Sequence, residues 1–386
     1  MADYVPDPAR AEEQQQQQRE EQKPPWCDLL PELLELVSLR LSAPDFSSFR
    51  RVCASWRSVP NPALRPPPPS AAFFRPGGTP ILATVHDDFC AFFDPIHNAA
   101  LRVTDLPELA GSRLRAAGAG DWLLLSRGRW EVFFFNVSAR VTVRLPDLDM
   151  FSAAVACFSG APDSPGCTVI TASHSMLEIH VLKRGESAWT FREFEHKRSY
   201  TANCAPVTLG ESCYFLRSKG HAVGFNYEEW EDVGDDGYYY YDVYVDRPEP
   251  LRKWRRGGID QCYLAEDDGE LLAVILGYAE SRVSVFRLDL RAGTWRKVDR
   301  LENKMMFVSQ GSSLVVDATV PGAGNKIYLP KSRGGRGIFY SLAANRFHTF
   351  LDDFPWRRSE FIKDVKPSCA WIQVPAGARN IRPFTW

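Results

Sequence analysis

From residue 71 onward the chain has no amphipathic helical stretch of ten residues, and it repeats one small pattern instead. The unit is a run of β-branched and aromatic residues, a polar turn, and a second run with an aromatic or basic end. The first runs of its copies are Ala91-Phe92-Phe93-Asp94, Phe133-Phe134-Phe135-Asn136, Ile179-His180-Val181-Leu182-Lys183, Val223-Gly224-Phe225-Asn226, Val285-Phe286-Arg287-Leu288-Asp289 and Ile338-Phe339-Tyr340-Ser341. The turn residues Asp94, Asn136, Lys183, Asn226, Asp289 and Ser341 follow one another at intervals of 42, 47, 43, 63 and 52 residues. Many short strands must hide their edges, and closure into a ring does so. A propeller blade takes roughly 40–50 residues, so six blades account for residues 71–386. A pair of β-sandwiches, or a seventh blade in the long interval, are the alternatives. Neither Trp-Asp repeat endings nor evenly spaced Gly-Gly doublets occur.

The preceding residues are of three other kinds. Residues 1–23 carry five consecutive glutamines, six acids and three bases with hardly any large apolar side chain. Such a leader cannot bury enough surface to offset the entropy of ordering, and disorder is expected. Residues 61–70 contain Pro66, Pro67, Pro68 and Pro69, an extended spacer. Residues 24–60 between them are leucine-rich and helix-patterned. Pro31 suits a first helical turn, with Glu32 and Glu35 near its positive end. Leu33, Leu34, Leu36, Val37 and Leu41 form an apolar stripe. Ser42-Ala43-Pro44-Asp45 reads as a helix restart, after which Phe46, Phe49, Val52, Cys53 and Trp56 recur at helical spacing. About three turns and then about four are expected, too little chain to close a core on two faces, so one face must meet another surface.

Leu30-Pro31-Glu32-Leu33-Leu34, then Arg51-Val52-Cys53 and Trp56-Arg57, resembles the F-box, although Val37-Ser38-Leu39 stands where that family usually has an isoleucine-leucine pair. The resemblance implies docking on a Skp-type adaptor and, through it, on a cullin scaffold. Carried over by position, the contact residues are Leu30, Pro31, Leu33, Leu34, Val37, Val52, Cys53 and Trp56. Downstream, Phe93-Asp94-Pro95, the run at 283–289 with Trp295 after it, and Asn325-Lys326-Ile327-Tyr328-Leu329-Pro330 resemble the plant propeller domain that follows an F-box in the KIB-like proteins.

Composition narrows the function classes. A formal charge of −2 and a pI near 6.4 give no electrostatic reason to expect nucleic acid or an anionic membrane as partner. The longest apolar run, at 271–276, is far short of a bilayer span, and the first residues lack the apolar core of a secretory signal. A soluble protein of the cytoplasm and/or nucleus is expected. The nine cysteines include no Cys-x-x-Cys pair, so neither a disulfide framework nor a zinc site is expected. No histidine pair has metal-protease spacing, there is no nucleophile elbow, and Gly334-Gly335-Arg336-Gly337 lacks the lysine and serine of a phosphate loop. No catalytic residue, metal or cofactor is expected. Asp267-Asp268 and Asp352-Asp353 read as turn residues.

One segment stands out. Residues 227–246 hold eight acids and no Lys or Arg, interleaved with Trp230, Tyr238, Tyr239, Tyr240, Tyr241 and Tyr244. As a solvated loop it needs no partner. As a recognition loop, its aromatics supply contact area and its acids steer a basic partner; the candidate substrate-binding residues are then Trp230, Tyr238, Tyr239, Tyr240 and Tyr241. The sequence reading is therefore a multidomain chain of α plus all-β class, a short helical F-box followed by a six-bladed β-propeller. The F-box resemblance implies a non-enzymatic substrate-recognition subunit of an SCF-type cullin ubiquitin ligase. The rivals are an adaptor-bound propeller that binds a small molecule or sequesters a partner, and a propeller enzyme with a helical accessory.

Overall fold

The computed structural model describes residues 25–38, 41, 46, 48–59, 74–75, 77–87, 89–97, 99–104, 106–149, 153–173, 178–194, 204–217, 220–229, 242–252, 259–277, 282–330, 338–349, 368–376, 381 and 384–386. The expected leader (1–23) and proline spacer (61–70) lie outside them.

Six β-sheets follow one another along the chain. In blade 2, Ser112–Gly118, Trp122–Arg127, Glu131–Asn136 and Val141–Arg144 run in order from the innermost strand outward. Blade 3 repeats this with Ala153–Phe158, Thr168–Ser173, Glu178–Lys183 and Thr190–Glu193. Blade 4 uses Val207–Leu209, Ser212–Leu216, Ala222–Asn226 and Val243–Val245. Blade 5 uses Ile259–Asp267, Glu270–Gly277, Val283–Asp289 and Thr294–Val298. Apolar residues on both faces of the middle strands meet those of neighbouring blades. Leu271–Leu276 of blade 5 is accordingly buried throughout, the pattern of a strand covered on both sides.

The ring closes on blade 1, where Ile81–Val85, Phe89–Asp94 and Ala99–Thr104 receive Cys369–Ile372 as their inner strand. Leu82 pairs with Trp371 across most of the sequence. Trp371 is fully buried. Its indole N–H donates to the Val308 carbonyl at 3.0 Å, and its backbone exchanges hydrogen bonds with the Ser312 hydroxyl (2.7 and 2.8 Å), which joins blade 1 to blade 6.

All six turn residues of the repeat fall at the end of the next-to-outermost strand of a blade, and the side-chain chemistry of five explains the recurrence, whereas the Lys183 backbone N–H donates to the Glu186 carboxylate at 2.9 Å. The side-chain oxygens of Asp94, Asn136, Asp289 and Ser341 each accept a backbone N–H three residues on, from His97, Ala139, Ala292 and Ala344. Those of Asn226 accept from Glu228 and Glu229. This is the local turn that Asp, Asn and Ser favour. In three blades the turn ends on a residue of positive φ: Arg140 (52°), Gly293 (61°) and Asn345 (51°).

Two departures stretch the intervals. Between Asn226 and Asp289, blade 4 places a long connection before its outer strand. Blade 6 is five-stranded, ordered Ser313–Asp317, Lys304–Val308, Lys326–Leu329, Ile338–Ser341 and Arg346–Thr349, with Lys304–Val308 parallel to Lys326–Leu329.

The expected class is overturned. The molecule is an all-β six-bladed propeller with almost no helix, and no α domain stands beside it among the described residues. The first helix, Pro31–Ser38, is eight residues long. The expected four-turn second helix breaks at Cys53, whose backbone is extended (φ −160°, ψ −178°), and only Ala54–Ser58 is helical after it. Just before the break, Arg51 and Val52 donate to carbonyls three residues back, Ser48 and Phe49, so the preceding turn tightens and ends. The expected restart at 42–45 lies outside the described residues.

Candidate functional site: an exposed apolar segment and one face of the ring

The short helices sit on a cluster of their own. Leu34, Phe46, Phe49 and Val59 are buried together, with Leu29, Leu41 and Trp56 packed against them. Phe49 and Trp56 stack with ring centroids 4.5 Å apart, and the Trp56 indole donates to the Trp26 carbonyl at 2.8 Å. The eight-residue helix can turn only one side to so small a cluster. Its other side remains outside: Leu30 is 63% exposed, Leu33 45% and Val37 40%, joined by Trp26 (60%) and Val52 (51%). Apolar side chains gathered in one short segment and left in water mark an interaction surface.

The residues carried over from the F-box pattern therefore divide. Leu30, Pro31, Leu33, Val37 and Val52 are exposed, Cys53 and Trp56 are half-buried, and Leu34 is buried inside the segment's own cluster. Trp26 was not among them. An indole just ahead of the leucine run is the signal that would have added it.

In the propeller, strand order places on one face the turns after the innermost strands and the Asp94-to-Ser341 series. Both described ends of the blade 4 connection, at 227–229 and 242, lie on this face. Trp230 and Tyr238, Tyr239, Tyr240 and Tyr241 lie outside the described residues, and so does most of the expected insertion 227–246. Its ends are seen. Tyr227 is buried and donates its hydroxyl to the Gly210 carbonyl at 2.7 Å. Glu228 pairs with Lys183 of blade 3 at 2.7 Å. The last part of the segment is not a loop: Val243–Val245 is the outer strand of blade 4.

Among the described residues, several charged groups of this face form ion pairs. Lys304 of blade 6 reaches Asp267 and Asp268 of blade 5, and Arg287 reaches Glu270 and Asp267. The two carboxylates hold the Lys304 ammonium well above its ordinary pKa. The turn carboxylates Asp267 and Asp268 thus join two blades. Asp352 and Asp353 lie outside the described residues. Burial pushes the Cys90 and Cys167 thiols up to about 12, which suits apolar core residues and not nucleophiles. Among the described residues, no three His, Cys, Asp or Glu side chains are placed to hold a metal, and no helix is long and apolar enough to cross a membrane.

A cavity of about 450 Å³ is lined by Gly77, Ala119, Gly120, Leu314, Val374 and Pro375. A second cavity, of about 320 Å³, opens between blades 1 and 2 beside Phe74, Phe135 and Arg140. The opposite face presents Trp130, 51% exposed, in the turn of blade 2 between Trp122–Arg127 and Glu131–Asn136.

The chain is similar to several known proteins. An Arabidopsis thaliana protein, "F-box/kelch-repeat protein At1g57790", is 27% identical over 368 residues, covering 92% of this chain and 96% of its own length. The Arabidopsis thaliana "F-box protein At3g56470" is 24% identical over 73% of this chain and 72% of its own length. Among solved structures, the Cps50 (Swd1) β-propeller domain of Myceliophteria thermophila covers 70% of this chain and 83% of that one, at 11% identity and a TM-score of 0.40. The model of the KIB1-4 beta-propeller matches residues 92–341, a stretch running from blade 1 into blade 6. The chain belongs to the KIB1-4 beta-propeller family.

Proposed function

We propose that this chain is a substrate receptor of an SCF-type cullin ubiquitin ligase. The segment at 26–59 docks on a Skp-type adaptor, and the propeller holds the protein to be ubiquitylated. The observation that carries the reading is the exposed set Trp26, Leu30, Leu33, Val37 and Val52. A thirty-four-residue segment with its own small core has no internal reason to leave five large apolar side chains in water. The names of the relatives, F-box proteins, and the pattern around Leu30 and Pro31 both favour the adaptor as the surface that covers them.

The chain itself makes and breaks no bond in this reading. It brings a bound target close to the transfer machinery and raises the effective concentration of the target's lysines there. It works where that machinery works, in the cytoplasm or nucleus. The test is co-purification of the full chain with adaptor and cullin, wild type against a Leu30→Ala, Pro31→Ala variant. The variant should lose the adaptor while its β-rich circular dichroism is unchanged; equal recovery by both proteins would sink the proposal.

A further inference from the structure

The next-to-outermost strands of blades 1 and 2 carry phenylalanine at the same place, two residues before the turn. Phe92 stands ahead of Asp94, and Phe134 ahead of Asn136. Both are fully buried, and each packs into the seam with the following blade. What lies over them differs.

Between blades 2 and 3 the chain fills the seam itself. Trp386 lies 5.7 Å from Phe134, and Phe384 meets Trp122 edge-on at 6.2 Å. Arg184, in the turn that follows Glu178–Lys183, stands over both rings, 4.7 Å from that of Phe384 and 5.1 Å from that of Trp386. A guanidinium is attracted to the face of an aromatic ring.

Between blades 1 and 2 a single ring does the covering: Phe74 meets Phe92 edge-on at 4.9 Å. Beside it remains the cleft of about 320 Å³. Its floor is apolar, made by the buried side chains of Phe92, Leu106 and Phe135. Its rim carries the half-buried Phe74 and the exposed Ser138 and Arg140. Arg140 belongs to the turn after Glu131–Asn136, the counterpart in blade 2 of the turn that supplies Arg184.

Among the described residues no carboxylate pairs with Arg140. Asp121, which is bonded to the Ser138 backbone, is buried and already accepts from the Asn136 amide and the Ser138 N–H, one on each oxygen. The lining of an unfilled gap forfeits the contacts that a filling group would make. An apolar cleft of this size with a few polar groups at its mouth is the usual form of a small-ligand site.

We propose that the cleft between blades 1 and 2 binds a small aromatic carboxylate. The ring takes the place that Phe384 and Trp386 take at the next seam, and the carboxylate meets the Arg140 guanidinium. This site goes beyond the reading of the chain as a ligase receptor, and its test involves no adaptor, so the two fail separately.

The probe is para-fluorophenylacetate, titrated at millimolar concentration into the full chain and followed by fluorine NMR, with the neutral para-fluorophenylacetamide as its match. The carboxylate should bind saturably and roughly threefold to tenfold more tightly than the amide. Arg140→Gln should remove that preference and leave the amide unchanged. Val103→Phe, which fills the cleft from the outer strand of blade 1, should abolish binding of both probes. If Val103→Phe does not fold, Ser138→Trp at the exposed rim closes the mouth instead. Absence of saturable binding to the wild type overturns the proposal. So do equal affinities for carboxylate and amide, a preference that survives Arg140→Gln, and binding that survives the blocked cleft.

Discussion

The segment at 26–59 and the propeller use the same apolar chemistry in opposite ways. In blades 2 and 5 the middle strands Trp122–Arg127 and Glu270–Gly277 bury nearly every apolar side chain, because a neighbouring blade covers each face. In the N-terminal segment the helix Pro31–Ser38 buries Leu34 and leaves Leu30, Leu33 and Val37 outside. The difference lies in closure, not in hydrophobicity. A ring of sheets supplies its own partner surfaces, whereas two short helices on a four-residue cluster cannot. The propeller is finished as it stands, and the N-terminal segment keeps an apolar face in water, which the proposed docking would cover.

The largest way to break this comparison is to open the ring. Trp371→Ala removes a fully buried indole and its bond to the Val308 carbonyl, and should cost about 3–5 kcal/mol in denaturant unfolding of the propeller. Adaptor binding by surviving folded protein should be unaffected. Leu34→Ala acts on the other region. It should cost about 2–3 kcal/mol, confined to the small cluster around Phe49, and so weaken adaptor binding with no change in the main melting transition. A fall of that transition on Leu34→Ala would show that the two regions fold as one.

Smaller effects sharpen the account of the ring. Asp121 is buried and accepts from the Asn136 amide (2.9 Å) and the Ser138 N–H (3.0 Å). Asp121→Ala should cost about 1–3 kcal/mol by leaving two donors unanswered, read as a lowered melting temperature. The smallest effect is one of pH. Burial of His180 lowers its pKa from the ordinary 6.5, with the carboxylates of Glu178 and Asp149 opposing. The folded imidazole resists a proton that the unfolded chain accepts. Its contribution is therefore intact above 6.5 and is lost as pH falls below that value. Between pH ~7 and pH ~5 the wild type should lose slightly more melting temperature than His180→Gln. His97 shifts the other way, raised mainly by its hydrogen bond to Asp94. Its contribution is present below 6.5 and fades as pH climbs through the raised value, but the half-exposed ring keeps it slight.

What was legible in the sequence follows from how local the causes are. The turn series Asp94 to Ser341 could be read because an Asp, Asn or Ser side chain makes its turn with residues three positions on. The closure of Cys369–Ile372 onto Ile81–Val85 has no local signature, since nothing in a four-residue apolar strand names a partner at the far end of the chain. The strand Lys304–Val308 was missed for a related reason: an apolar run between blades shows neither its parallel pairing nor its place in the sheet.

The helices were overread because three- and four-residue spacing from Phe46 to Trp56 survives a break at Cys53. The apolar stripe at 30–37 was visible as a stripe, but which side would meet Phe46 and Phe49 was not. Leu34 was therefore grouped with Leu30 and Leu33, although it faces the other way. The packing of Phe384 and Trp386 on Trp122 and Phe134 was not legible, because these residues are far apart in sequence and come together only in the folded ring.

The central claim is that one region is complete and the other awaits a surface. Hydrogen exchange of the full chain, with and without a saturating Skp-type adaptor, tests it in a single experiment. The account predicts new protection confined to residues 26–59, centred on Leu30, Leu33 and Val37, with exchange in the six blades unaltered. Protection appearing in the blades while the N-terminal segment stays unchanged would contradict it.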